Sequence, residues 1–196
     1  MDYAYIKSLF CDEDYVICAD SGYDHAMKMG ISVDLAVGDF DSAKHMPPKE
    51  IMRVFPERKD FTDTELALGA ARELGFCNFM FLAATGTRLD HSLANILLLK
   101  SCAERGENAC IVNEHNAVYA LGQGVQTLEL CVDVGQIVSL VPIESCTSVT
   151  VQGLEYPLNN AGLSVGTSLG VSNAAVCGIV SVSIASGLLL VIAAKD

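Results

Sequence analysis

The spacing of apolar residues changes character near residue 113, and that change limits the architecture more than any other feature of the chain. Before it, short apolar runs alternate with helical patterns. Residues 15–19, 35–37, a short run near Val54, 79–83 and 109–112 read as strands. Residues 3–10, 23–29, a segment through Leu66, Ala70 and Leu74, and one carrying Leu93, Ile96, Leu97 and Lys100 read as helices. Thr62-Asp63-Thr64-Glu65 has the Thr-x-x-Glu spacing of a capping box, and Gly75 closes the helix that it opens. Strand–helix alternation of this kind predicts a mainly parallel sheet covered by helices.

After Asn113 no helical period is found. Residues 118–121, 127–132, 137–142, 148–151, 164–165, 180–185 and 188–192 read as strands separated by Gly, Pro and Asn. The expected fold class is therefore α/β: an N-terminal α/β domain over residues 1–113, then a C-terminal antiparallel β-sandwich domain over residues 114–196. No charged residue lies between Glu155 and Lys195, and residues 174–194 are long enough to span a bilayer. Val180, Val182 and Ile184 alternate with Ser181, Ser183 and Ala185, however, so the run reads as half-buried strands and no membrane association is expected.

The turns that follow the strands of the first half are rich in carboxylates. Gly38-Asp39-Phe40-Asp41-Ser42 follows one, and Lys59-Asp60-Phe61-Thr62-Asp63 follows another. Carboxylates gathered this densely repel unless a cation holds them, and a hard divalent ion such as Mg²⁺ prefers oxygen ligands and substrate phosphates. The chain carries a net charge of -12, so a bare polyphosphate would be repelled. A metal between the aspartates and a nucleotide removes the conflict. The same charge, with no Lys/Arg cluster, argues against nucleic acid as a partner. Taken alone, each acidic turn is also explained by ordinary turn and helix-capping preferences.

A third cluster, Thr85-Gly86-Thr87-Arg88-Leu89-Asp90-His91, also leads from a strand into a helix, where backbone N–H groups and the Arg88 fork suit an anion. Asp90 could cap the helix or orient His91, and Asn95 follows one turn later. Asp20-Ser21-Gly22 is a fourth, at the end of the first strand. The eight cysteines are scattered without a Cys-x-x-Cys pair, and no signal peptide is visible, which together predict reduced thiols in a cytoplasmic protein.

Laid out in this order, the four clusters resemble the thiamine pyrophosphokinase family. The match covers most of the chain and extends to Gly153-Leu154-Glu155-Tyr156-Pro157-Leu158 and Gly170-Val171-Ser172-Asn173. The resemblance implies an enzyme that moves pyrophosphate from ATP to the thiamine hydroxyl, giving thiamine diphosphate and AMP. It implies Mg²⁺ held by Asp39, Asp41 and Asp63, with Asp60 close by and Asp63 or Asp60 as acceptor of the hydroxyl proton. Arg88 would stabilise developing charge. Asp20, Ser21, Gly22, Thr85, Gly86, Asp90, His91 and Asn95 would line the nucleotide site, and Ser172 and Asn173 the thiamine pocket, at a homodimer interface. The family begins with a further apolar strand that does not precede residue 3 here, and its loss is expected to weaken the sheet. The chain has no Trp, so stacking on thiamine would fall to Tyr or Phe. Two other readings stay open: a metal-dependent phosphatase with an aspartyl nucleophile, and a non-catalytic thiamine- or nucleotide-binding protein.

Overall fold

The computed structural model describes residues 1–41, 44–54 and 61–195, which form two compact units, Met1–Cys77 and Asn78–Asp196. In the first unit, α1 (Tyr3–Lys7) is opened by Asp2, whose carboxylate accepts from the N–H groups of Ala4 and Tyr5. Three short strands, β1 (Ile17–Ala19), β2 (Leu35–Gly38) and β3 (Met52–Val54), build a parallel sheet in the order β1-β2-β3, with Ala19 opposite Val37 and Gly38 opposite Val54. Two helices cover it. The first, α2 (Gly22–Met29), packs on β1 and ends at Gly30 in the left-handed conformation. The second, α3 (Asp63–Glu73), packs on β1 and β2. The Thr62 hydroxyl accepts from the Glu65 N–H at 3.2 Å, so the predicted cap forms. Cys18, Tyr23, Ala26, Ala36 and Phe40 form one buried cluster of this unit.

The second unit starts with a parallel pair, β4 (Asn78–Leu82) and β5 (Asn108–Val112), linked by α4 (Leu89–Glu104). All later neighbours are antiparallel. β6 (Asn116–Leu121) pairs with β5 and with β12 (Ser186–Ala194), and β12 pairs with β8 (Ile137–Gln152). β8 also pairs with β11 (Ile179–Ser183), and β11 with β7 (Thr127–Cys131), so the order is β4-β5-β6-β12-β8-β11-β7. Two further strands, β9 (Leu158–Leu163) and β10 (Asn173–Ala174), lie against β8. The hairpin turn between β5 and β6 holds the expected 113/114 boundary, yet the hydrogen-bonded sheet runs through it. The smaller parallel sheet and the larger mixed sheet thus agree with an α/β start and an antiparallel continuation.

Strands 137–142 and 148–151, expected to be separate, are one 16-residue strand. Pro142 sits opposite Leu189 at a register shift, and Ser148 adopts φ 52°, so the strand bends through irregularities instead of ending. Residues 164–165, expected to be a strand, form a turn; the strand lies just before, in β9. The apolar faces of β7, β8, β11 and β12 meet in a core that includes Leu130, Leu140, Val149, Val182 and Val191, while Leu99 of α4 packs with Ile111, Val118 and Leu190. Among the described residues no helix is long and apolar enough to cross a membrane.

Candidate active site

The carboxyl ends of β1 and β2 are neighbours in a parallel ladder, and each runs directly into an aspartate. Asp20 follows Ala19 with φ 44°, and its N–H donates to the Val37 carbonyl at 2.8 Å. Asp39 follows Gly38. A Cβ on Gly38 would lie 3.2 Å from the Asp20 Cα and 3.3 Å from its N, so the absence of a side chain is what lets the two strand ends approach.

Phe40 orients the two carboxylates beside it. Its ring is buried and its backbone takes φ 60°. Such a conformation costs about 1–3 kcal/mol in a non-glycine residue. Burying a Phe side chain returns about 1.5–3 kcal/mol, so the core can hold this turn in place. With Phe40 directed inward, Asp39 and Asp41 stand outside the core, and the Asp41 N–H donates to Asp39 Oδ1 at 3.2 Å.

Asp20, Asp39 and Asp41 consequently bring one carboxylate oxygen each to within 4.8 Å of the others. Unit charges at that spacing repel by roughly 1–3 kcal/mol per pair, depending on the share of water between them. A divalent cation reverses the sign. Three oxygen donors of this kind, with room for solvent and phosphate at exposed Asp41, suit the coordination habits of Mg²⁺. Asp20 was expected to touch a nucleotide rather than a metal; the fold brings it into the acidic group. Asp63, expected as a ligand with Asp39 and Asp41, stands outside this triad, half-buried as the first residue of α3. Asp60 lies outside the described residues. Ser21 and Gly22 sit at the start of α2, where the Ser21 side chain makes no capping hydrogen bond.

One residue that the sequence did not single out is Asp24. It is buried on α2, and its carboxylate accepts from the N–H groups of Lys44 and His45 at 2.8 and 3.1 Å and pairs with His45 Nδ1 at 2.7 Å. The Lys44 N–H, followed by the His45 side chain, holds its pKa below the ordinary carboxylate value. A charged residue in the first turn of a helix ordinarily signals only the helix dipole, so nothing in the pattern marks it.

In the second unit, the turn from β4 to α4 is fastened by side chains on the helix. Ser92, buried, accepts from the Gly86 N–H at 3.0 Å and donates to the Arg88 carbonyl at 2.9 Å. Asn95 donates to the Ala84 carbonyl at 2.7 Å, and Thr85 accepts from Asn113 at 2.9 Å. Asn95 therefore secures the turn. Arg88 grips Asp90 with two donors, Nη2 to Oδ2 at 2.6 Å and Nε to Oδ1 at 3.2 Å. This pair lowers the Asp90 pKa to about 2 and raises that of Arg88. Both side chains are exposed, as is His91, and the Arg88 Nη1 group carries two further N–H donors.

Ser172 and Asn173 differ in setting. Ser172 is exposed with φ 60°, and its N–H donates to Ser139 Oγ at 3.0 Å. Asn173 is buried; its amide donates to the Tyr156 carbonyl at 2.7 Å and accepts from the Tyr156 N–H at 3.1 Å. It ties down the 153–158 segment, while the Tyr156 ring remains exposed.

Comparison with known proteins sets these residues in a wider context. Residues 6–111 match the family model described as "Thiamin pyrophosphokinase, catalytic domain", and residues 126–189 match "Thiamin pyrophosphokinase, vitamin B1 binding domain". A thiamine pyrophosphokinase of Bacillus subtilis (strain 168) is 29% identical over 187 residues, covering 92% of this chain and 87% of the relative. A crystal structure of thiamine pyrophosphokinase from Bacillus subtilis superposes with a TM-score of 0.85 at 27% identity, covering 97% of this chain and 92% of that one. The structure of thiamin pyrophosphokinase from Geobacillus thermodenitrificans gives 0.82 at 29% identity, covering 97% and 91%.

Proposed function

The chain belongs to the thiamin pyrophosphokinase family, and from that premise we propose that it transfers pyrophosphate from ATP to the hydroxyl of thiamine. The observation that carries this reading is the acidic triad at the ends of β1 and β2, inside the segment matched by the family's catalytic model. Asp20, Asp39 and Asp41 would hold Mg²⁺, which when bound neutralises phosphate oxygens of ATP.

In the transfer, the thiamine oxygen bonds to the β-phosphorus, the bond from that phosphorus to the α,β-bridging oxygen breaks, and AMP leaves with that oxygen. The hydroxyl proton passes to Asp63 or Asp60, or to solvent. Positioning supplies most of the acceleration in such reactions, so the task of the rigid turns is to fix reacting atoms. Arg88, through donors not committed to Asp90, offers positive charge to phosphate oxygens. Thr85, Gly86, Asp90 and His91 flank it. Ser172 and the exposed Tyr156 ring, held in place by Asn173, are offered to thiamine.

We assign residues 1–113 to nucleotide and metal chemistry and residues 114–196, folded as a β-sandwich, to thiamine and to a homodimer contact. That division follows the spans of the two family models. The scatter of the eight cysteines along the chain, with no Cys-x-x-Cys pair, supports a cytoplasmic setting.

The test is to incubate the purified chain with ATP and thiamine, with and without MgCl₂, and to separate the products. Equal yields of AMP and thiamine diphosphate, dependent on Mg²⁺, are expected. Free phosphate formed without need of thiamine would establish a phosphatase instead, and calorimetric binding with no AMP would establish a non-catalytic protein.

A further inference from the structure

Asp24 has no catalytic chemistry of its own to offer, since it is buried and faces loop backbone rather than solvent. Its position is the informative part. It stands four residues after Asp20, on α2, and accepts from the N–H groups of Lys44 and His45, which lie beyond the Asp39–Asp41 turn. The same turn is held from its other side by Phe40, which is buried with Tyr23 and Ala26 of α2. Asp41 thus lies between two attachments to a single helix. Lys44 is three residues beyond it, so chain length alone keeps Asp41 within roughly 10 Å of Lys44.

We propose that Asp24 is a positioning residue for the acidic triad: by binding Lys44 and His45 it registers Asp39 and Asp41 against Asp20, and so sets the affinity for a divalent cation. The inference rests on the metal-binding reading given above and adds to it a residue that touches neither metal nor substrate. Groups that orient metal ligands from behind typically change affinity by 10- to 100-fold when removed.

The latch has separable parts. In Asp24→Ala all three interactions are lost. In Asp24→Asn one carboxylate oxygen becomes a donor, so a single backbone N–H can still be accepted. In His45→Ala only the ring contact is removed and both backbone bonds remain. Mn²⁺ alone, titrated into each protein and followed by the loss of its free-ion electron paramagnetic resonance signal, reports the site without turnover. Circular dichroism establishes that each variant is folded at the assay temperature. Cys18→Ala, a cavity in the same core that leaves the latch untouched, controls for general destabilisation.

The expected order of Mn²⁺ dissociation constants is wild type and Cys18→Ala lowest, His45→Ala next, Asp24→Asn higher, and Asp24→Ala at least about 10-fold above wild type. Wild type and a folded Asp24→Ala with equal constants would overturn the positioning role and leave the metal reading intact. A folded Asp24→Asn with an unchanged constant would do the same should the alanine variant fail to fold. A wild-type protein that takes up no Mn²⁺ would overturn both.

Discussion

Replacing Gly38 by alanine tests whether the approach of β1 to β2 sets the active-site geometry. The new methyl group would sit 3.2 and 3.3 Å from the Cα and N of Asp20, both backbone atoms that cannot swing aside. The two strand ends must separate by a few tenths of an ångström. Gly38 also has φ 154°, a value that side-chain-bearing residues rarely adopt, with a typical cost of about 1–3 kcal/mol. Restricting the unfolded chain offsets about 0.4–1 kcal/mol of that. A net loss of up to about 2.6 kcal/mol remains, which for a chain of this size lowers Tm by up to roughly 10 °C. Activity should fall as well. A 1 Å misplacement can cost about 100-fold, so a shift of a few tenths predicts a fall of about 3- to 10-fold in kcat/KM. Thermal melting and steady-state kinetics of AMP release read the two effects separately. A Gly38→Ala protein with wild-type Tm and wild-type kcat/KM would show that the strand ends tolerate separation and that the triad is not set by this contact.

Two further outcomes follow from the second unit. The Asp90 carboxyl, held at about 2 by Arg88, should titrate near that value by carbon-13 resonance and return towards its ordinary value of 3.8 in Arg88→Ala. Because the folded pKa is the lower one, the pair's contribution to stability is complete above about pH 4 and is lost as the pH falls through 2. Asn173→Ala leaves the N–H and carbonyl of Tyr156 without their partner, and thermal melting should show a loss of about 1–3 kcal/mol.

Strands and helices of the first 112 residues could be read from spacing because each is short, local and bounded by its own turn signals. The capping Thr62 forms its bond where the pattern placed it. β8 could not be read so. Pro142 and the polar stretch from Glu144 to Thr147 look like an interruption, and only the partners on either side make the backbone continue through it. β9, with Asn159, Asn160 and Gly162, has almost no strand propensity and exists because β8 offers an edge. At the candidate site, Asp39 and Asp41 announced themselves by density. Asp20 joined them through a positive φ and a close approach to Gly38, and Asp24 through burial; none of these is a property of residue order.

β8 changes partners along its length, from β12 and β10 near its start to β11 and β9 near its end. A single peptide span therefore belongs to two hydrogen-bonded neighbourhoods at once. Peeling either away strips the other of its central member, so residues 78–195 should have no intermediate resting point between intact and melted. A lesion at any point along this span would be shared by the entire second unit instead of being contained.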